Sequence, residues 1–491
     1  MEKLTINELF SGIGAQASAL EKLGIPFEIR HTSDIDHNAV LAYASIHCGL
    51  TEELINTYTE YPTREEMARQ LTEINLGYDF QKSKPYNWYR FVNSKSKELE
   101  KYWLANKLSK NLGDISKLEY LDYADFWTYS FPCTDISVAG KQEGIKHGKT
   151  RSGLLYEVQR LLERANKMLA LPKYLMLENV KNLVGKKFKP QFDEWVAWLD
   201  ELGYNTYWKV LNAKDYGVPQ NRERVFAISI RKDIDDGKFE FPQPFDNGVR
   251  LKDVLEDNVD EKYYLSEDIQ NRLIITDKTL TKNIIGTTKP SFRTIGQRDV
   301  VYSEYSIMGT LVATDYKQPK QILETNRCVK VGDLNYYPYE TSNRVYSKEG
   351  ISPTLTTMQG GNTEPKIAEP IAYVKEATKK GYAEIYEGDS VNLEQPNSKT
   401  RRGRVGKGCA QTLTTSCNQA IVELETKSFR VRKLTPRECY RLMGFTDEQF
   451  DKSQAFSSDS KLYKQTGNSI VVDVLYYIFG KLFEVNIENF I

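Results

Sequence analysis

Apolar residues in the first half of the chain fall into two alternating rhythms. Short runs rich in β-branched, aromatic and aliphatic residues predict strands over 4–10, 27–32, 126–130, 174–177, 206–211 and 225–230. Between several of them, 15–23, 154–168 and 191–202 carry apolar residues at helical spacing. Strands and helices alternating in this way predict an α/β unit, a parallel sheet with helices on both faces. It would span residues 1–234.

The rhythm breaks twice. Residues 48–111 form an insertion. In it Thr63 and Glu66 have the spacing of a capping box, Met67, Leu71 and Ile74 continue as a helix, and Leu99 and Trp103 mark a second helix ending before Gly113. A helical pair covering a sheet edge accounts for this pattern, and its lysines and aromatics leave a nucleic-acid contact open. From about 235 to 428 the texture changes to turns, glycines, prolines and short β-branched runs, which predicts a second, β-rich domain. A degenerate repeat lies inside it: Gly309-Thr310-Leu311, Pro353-Thr354-Leu355 and Gln411-Thr412-Leu413, each preceded by an Arg and a Val. One strand-turn-strand unit reused within a single sheet would explain it. Residues 429–491 would return to the first unit, with Thr435, Pro436 and Glu438 opening a helix through a capping box.

Bulk properties narrow the class only a little. Lys+Arg and Asp+Glu number 67 each over 491 residues, so any nucleic-acid signal must come from local clustering. The six cysteines are scattered with no CxxC pair, and with 4 histidines they offer no zinc-type spacing. Neither a signal peptide nor a membrane span is apparent, so a cytoplasmic, monomeric protein is expected. Its Lys, Ile, Tyr and Asn content points to an AT-rich bacterial or phage genome.

Chemistry gathers at strand ends. Phe10-Ser11-Gly12-Ile13-Gly14 follows the first strand and opens a helix, where a small-residue turn lets a ligand approach the backbone. A carboxylate for a ribose is expected at the end of the next strand, where Asp34 stands beside Ile35. Gly113-Asp114-Ile115 offers a third such turn. Taken alone, glycines at strand-to-helix turns are as well explained by sterics. Phe131-Pro132-Cys133 follows an apolar strand and presents a thiol, though a lone cysteine is most often structural. Glu178 ends the run Tyr174-Leu175-Met176-Leu177, where an unpartnered carboxylate would be costly to bury, and Asn179 follows it. Arg222 and Arg224 flank Glu223; in isolation they would be a surface charge run.

The order of these motifs, closed by Gly467-Asn468-Ser469, resembles the cytosine-C5 DNA methyltransferases. The resemblance covers roughly residues 4–47, 112–232 and 429–482. It implies a Rossmann-like S-adenosylmethionine-dependent domain with a target-recognition domain. By resemblance the cofactor residues are Phe10, Gly12, Gly14, Asp34, Ile35, Asp114, Ile115, Asn468 and Ser469, with Ile35 standing where many members carry an aromatic. Cys133 would add to cytosine C6, from a site that favours its thiolate through donors such as Thr134 and Ser137. Glu178 would hold the N3 edge, Arg224 would reach O2 and Glu178, and Arg222 would lie nearer a phosphate. Asn179 would order the loop.

The partner so implied is double-stranded DNA, with a cognate restriction endonuclease left open. The basic, glycine-rich span 398–408 includes Arg401, Arg402 and Arg404, which would track a phosphate backbone unless the span is only a solvated loop. The family's Thr-Leu recognition pair would be Thr412-Leu413, with Thr354-Leu355 as competitor. Relatives acting on transfer RNA have little between the arginine motif and the Arg432-Lys433-Leu434-Thr435-Pro436 segment, whereas here that interval is long. An inactive DNA-binding regulator would be expected to have lost Cys133 or Glu178.

Overall fold

The computed structural model describes residues 3–79, 84–133, 135–136, 144–145, 151–220, 222–249 and 435–485, with short pieces between 251 and 433. Its main sheet contains β1 (Leu4–Leu9), β2 (Phe27–Ser33), β3 (Phe126–Tyr129), β4 (Tyr174–Val180), β5 (Tyr204–Asn212) and β6 (Glu223–Arg231). They lie in the order β2-β1-β3-β4-β6-β5. All six expected strands are present. One runs differently from the expected parallel sheet: β6 is antiparallel to both β4 and β5, while β2, β1, β3 and β4 pair in parallel. The cause is the short connection 213–222, which has no room for the helical crossover that a parallel return requires.

Strand alternation sorts the core onto two faces. Phe126, Met176, Phe226 and Ile228 join a cluster with Leu20, Leu475 and Phe479. Their neighbours Trp127, Leu175, Leu177, Val225 and Ala227 join a second one with Val158, Leu162 and Trp195. The period of two along each strand is therefore the physical origin of the layered architecture. Helix α1 (Ala15–Leu23) covers the first face; α6 (Leu155–Lys167) and α7 (Lys189–Leu202) cover the second. The helix Val472–Leu482 packs beside α1, with Phe479 edge-on to Phe126 at 5.4 Å.

The insertion contributes α3 (Glu52–Thr57), α4 (Arg64–Glu73) and α5 (Glu98–Leu108), following α2 (His37–His47). Met67, Leu71, Leu99 and Trp103 pack on Val40 and Leu41 of α2. The chain leaving α5 runs along the β2 edge, Thr32 N–H donating to the Lys110 carbonyl at 3.3 Å and Leu112 N–H to the Thr32 carbonyl at 2.9 Å, so this segment rather than the helices covers that edge. Only half of the expected capping box forms at α4. Thr63 accepts from the Glu66 N–H at 3.3 Å, but the Glu66 carboxylate turns away to Arg69 and Gln70. At Thr435 both halves are present.

Between 251 and 433 the described residues form short strands and isolated helical turns. The repeat copies themselves lie outside the described residues. Their preceding valines do lie on strands, Val300–Ser303, Arg344–Ser347 and Val405–Gly406, but these belong to three different sheets. The strand Val431–Lys433 pairs with Lys366–Ala368, so strand pairing runs past the boundary expected at 428.

One buried acid sets a pH dependence. Glu8, central in β1 between Thr32 and Thr128, is 0% exposed. Burial pushes its carboxyl from 4.5 up to about 7, with Tyr43 and His47 opposing the rise. The native state therefore retains a proton that the unfolded chain has lost above pH 4.5, and stability should fall as pH rises from there through about 7. Glu8→Gln is expected to remove that loss, gaining about 2–3 kcal/mol at pH 8 and little at pH 4. Urea midpoints across that range should show it; parallel wild-type and variant curves would contradict the assignment.

Candidate functional site

Three turns meet at the ends of β1, β2 and the segment entering β3. Phe10 and Gly12 have φ of 57° and 55°, which turns the chain sharply after β1. Gly14, φ 81°, begins α1, and a Cβ there would sit 2.4 Å from His47 Nε2 and 2.9 Å from Tyr43. Only glycine fits. Gly12 N–H donates to Asp34 Oδ2 at 2.9 Å, and Asp36 N–H donates to Asp34 Oδ1 at 2.8 Å. Burial, followed by the neighbouring Asp36, raises the Asp34 carboxyl to about 6. Asn111 clasps the Asp34 backbone, accepting from its N–H at 2.8 Å and donating to its carbonyl at 3.0 Å. Ile35 is half-buried beside it.

Asp114 accepts from Ser116 on one oxygen and from Asn75 Nδ2 at 2.7 Å on the other. Ile115 is 3% exposed, its apolar side chain packing in the second core cluster. Asn468 ends the helix Asp459–Asn468 and is exposed, whereas Ser469 is buried and donates to the Ile470 carbonyl. Lys464 of the same helix reaches Asp36 at 2.6 Å, tying the C-terminal segment to the β2 turn.

A second constellation forms where β3, β4 and β6 meet. Parallel pairing of Tyr129 with Leu177 brings Ser130 opposite Glu178. Ser130 Oγ donates to Glu178 Oε2 at 2.6 Å, and Arg224 Nε lies 3.3 Å from Glu178 Oε1. Pairing of Val180 with Arg224 puts the guanidinium diagonal to Glu178 on the same face. Glu178 is 7% exposed, which this pairing makes tolerable. Asn179 Nδ2 donates to the Phe131 carbonyl at 3.0 Å, fixing the strand end that leads to Cys133. Ser152 Oγ donates to the Pro132 carbonyl at 2.6 Å and its N–H to Asp135 Oδ2 at 2.9 Å, bracing the same turn.

One expectation is corrected here. Arg222 does not stand where a phosphate would reach it. It is 4% exposed and donates to the Gly467 and Ser469 carbonyls at 3.2 and 2.8 Å, joining β6 to the C-terminal motif. Burial lowers its pKa to about 9. Cys133 follows that braced strand end, and the donors expected to favour its thiolate, Thr134 and Ser137, lie outside the described residues. Burial, then the Glu178 charge, push the Cys133 pKa up, with Arg224 and Arg222 opposing. Thr354, Arg401, Arg402, Arg404 and Thr412 also lie outside the described residues.

Since the Glu178 charge is among the causes that raise the Cys133 thiol, Glu178→Gln should lower its pKa. Iodoacetamide should then alkylate Cys133 several-fold faster at pH 8 than in the wild type. Mass-spectrometric mapping resolves Cys133 from Cys48, whose thiol burial drives up to about 12. Equal rates would show the two groups to be uncoupled.

Sequence reasoning did not find Ser130, Asn111, Asn75 or Lys464. Ser130 alone had a usable signal, since aligning the ends of the two adjacent predicted strands sets it across from Glu178.

The sheet thus carries glycine-containing turns at its strand ends, and a Cys–Glu–Arg group where β3, β4 and β6 meet. The profile of the C-5 cytosine-specific DNA methylases matches residues 76–484, and the chain belongs to that family. It is 33% identical over 488 residues to the type II methyltransferase M2.ScrFI of Lactococcus lactis subsp. cremoris, covering 98% of this chain and 99% of that protein. It is 33% identical over 377 residues to the orphan methyltransferase M.SssI of Spiroplasma monobiae, covering 75% and 83% respectively. The protein is thus an enzyme of the DNA (cytosine-5-)-methyltransferase type. The solved structure of the Entamoeba histolytica methyltransferase EhMeth shares the fold at 14% identity, with a TM-score of 0.50 over 99% of both chains. Among the described residues no helix is long and apolar enough to cross a membrane.

Proposed function

We propose that the protein methylates C5 of cytosine within a specific sequence of double-stranded DNA, using S-adenosylmethionine, a base turned out of the helix and a transient Cys133–C6 bond. The observation that carries this is the Glu178 carboxylate, pinned by Ser130 and Arg224 and electrostatically coupled to Cys133. Cytosine C5 is a poor nucleophile and is hidden in a duplex stack, so the base must be extruded and then activated. Addition of the Cys133 sulfur to C6 forms an S–C6 bond and moves electron density to C5. Glu178 would bind the N3 edge and support the proton that balances this addition, while Arg224 holds Glu178 and meets O2. Engagement of Glu178 by the base would offset a charge that disfavours the thiolate, which would help Cys133 act as a nucleophile. Removal of the C5 proton after methylation then breaks the S–C6 bond.

The residues present fit the cofactor. Phe10, Gly12 and Gly14 form a left-handed turn at a helix start, and Asp34 is a carboxylate for ribose hydroxyls. Ile35, Asp114, Asn468 and Ser469 would complete the cofactor site. S-adenosylmethionine would supply an electrophilic methyl group there. The catalytic unit would be residues 1–234 with the C-terminal segment 429–491, and 235–428 would read the target sequence, with Arg401, Arg402, Arg404, Thr354 and Thr412 as DNA contacts. Labelled S-adenosylmethionine with duplex DNA, and separately with transfer RNA, tests the substrate. Bisulfite sequencing of DNA from expressing cells tests position and sequence together. Label entering only RNA would replace this reading, and label entering neither would point to a DNA-binding regulator.

A further inference from the structure

The insertion does more than cover an edge, because its turn Glu73–Gly77 touches two of the three ligand-type turns. Gly77 N–H donates to the Ile35 carbonyl at 2.6 Å. Asp114 N–H donates to the Ile74 carbonyl at 2.9 Å, and Lys117 Nζ reaches the Glu73 carbonyl at 2.7 Å. Asn75 Nδ2 donates to Asp114 Oδ2 at 2.7 Å. Packing here is tight: a Cβ on Gly113 would lie 2.1 Å from the Ile74 carbonyl oxygen. From behind, the fully buried Trp88 donates Nε1–H to the Leu76 carbonyl at 2.9 Å, which anchors the turn in the insertion's own core. Asn75 has φ 56°, a left-handed conformation that asparagine tolerates better than most residues and glycine better still.

We infer that the Glu73–Gly77 turn is a clamp that sets the spacing of the Ile35 and Asp114 turns, with Asn75 as a positioning residue that orients the Asp114 carboxylate for the cofactor. This rests on the S-adenosylmethionine reading. Asn75 acts on the ligand through Asp114: its amide holds Oδ2 while the Ser116 N–H and hydroxyl hold Oδ1, so the carboxylate has one orientation before a ligand arrives. Preorganisation of this kind raises affinity without a direct contact.

A double-mutant cycle on the full chain tests it, with calorimetric titration of S-adenosylhomocysteine as readout. Asn75→Gly keeps the backbone conformation and deletes only the amide, and it should weaken binding about tenfold. Asp114→Ala should weaken it at least as much, and the double variant should bind no worse than Asp114→Ala alone. In turnover assays Asn75→Gly should raise KM for S-adenosylmethionine with kcat and DNA affinity nearly unchanged. Wild-type binding with additive losses in the cycle, or with no loss for Asn75→Gly at an unchanged melting temperature, overturns the clamp while leaving the cofactor reading intact. Absence of wild-type binding overturns the cofactor reading, and the clamp's role with it.

Discussion

Replacing Cys133 with serine is expected to abolish methyl transfer, by roughly three orders of magnitude or more, while S-adenosylmethionine still binds. Even the thiol is held above its usual pKa by burial and by Glu178. A hydroxyl in the same place has no accessible anion, so C6 is not attacked and C5 remains unreactive. The ligand turns are built from the ends of β1 and β2 and from 113–114, so their affinity should be spared. Equilibrium binding of S-adenosylhomocysteine and single-turnover transfer to DNA separate the two effects. DNA carrying 5-fluorocytosine at the target should become covalently attached to the wild type through Cys133, because no C5 proton remains to be removed. Turnover of the serine variant near wild type, or an adduct mapped to another residue, would remove Cys133 from the chemistry.

Where the chain repeats a simple period, the fold was legible. The six strands and the helices Ala15–Leu23, Leu155–Lys167 and Lys189–Leu202 follow apolar spacing closely, because burial on one or two faces decides both. Strand direction was less accessible: β6 reverses because of the length of the connection before it, not because of its own composition. The motifs anticipated the approach of Arg224 to Glu178, but not Ser130 on the other carboxylate oxygen or Asn111 on the Asp34 backbone. Arg222 illustrates the limit. Its position beside Glu223 and Arg224 suggested exposure, whereas its side chain is buried against the carbonyls of Gly467 and Ser469, more than two hundred positions on. The difference comes from a tertiary contact that local spacing does not encode. The pairing of Asn75 with Asp114 is of the same kind, since an insertion carries no motif by which its contact could be foreseen.

Glu178→Gln should lower the single-turnover rate of methyl transfer by about two orders of magnitude or more, the scale of a positioned acid–base group. DNA affinity should change far less. The amide keeps the volume and an acceptor oxygen for Ser130, so the strand end stays in place. It cannot carry the proton that balances sulfur addition at C6, and it leaves Arg224 without its anionic partner. A half-buried guanidinium so deprived also loses some stability, and a modest drop in melting temperature should accompany the rate loss. The same substitution makes Cys133 more reactive toward a simple alkylating agent, since a negative charge has left its surroundings. A more nucleophilic thiol combined with a slower enzyme is the discriminating outcome: it separates proton support at the base from mere activation of the sulfur. If transfer instead accelerated along with alkylation, Glu178 would act only as a brake on the thiol. If the rate held while DNA affinity collapsed, Glu178 would be a docking residue, and the proposed chemistry at N3 would have to be carried by another group.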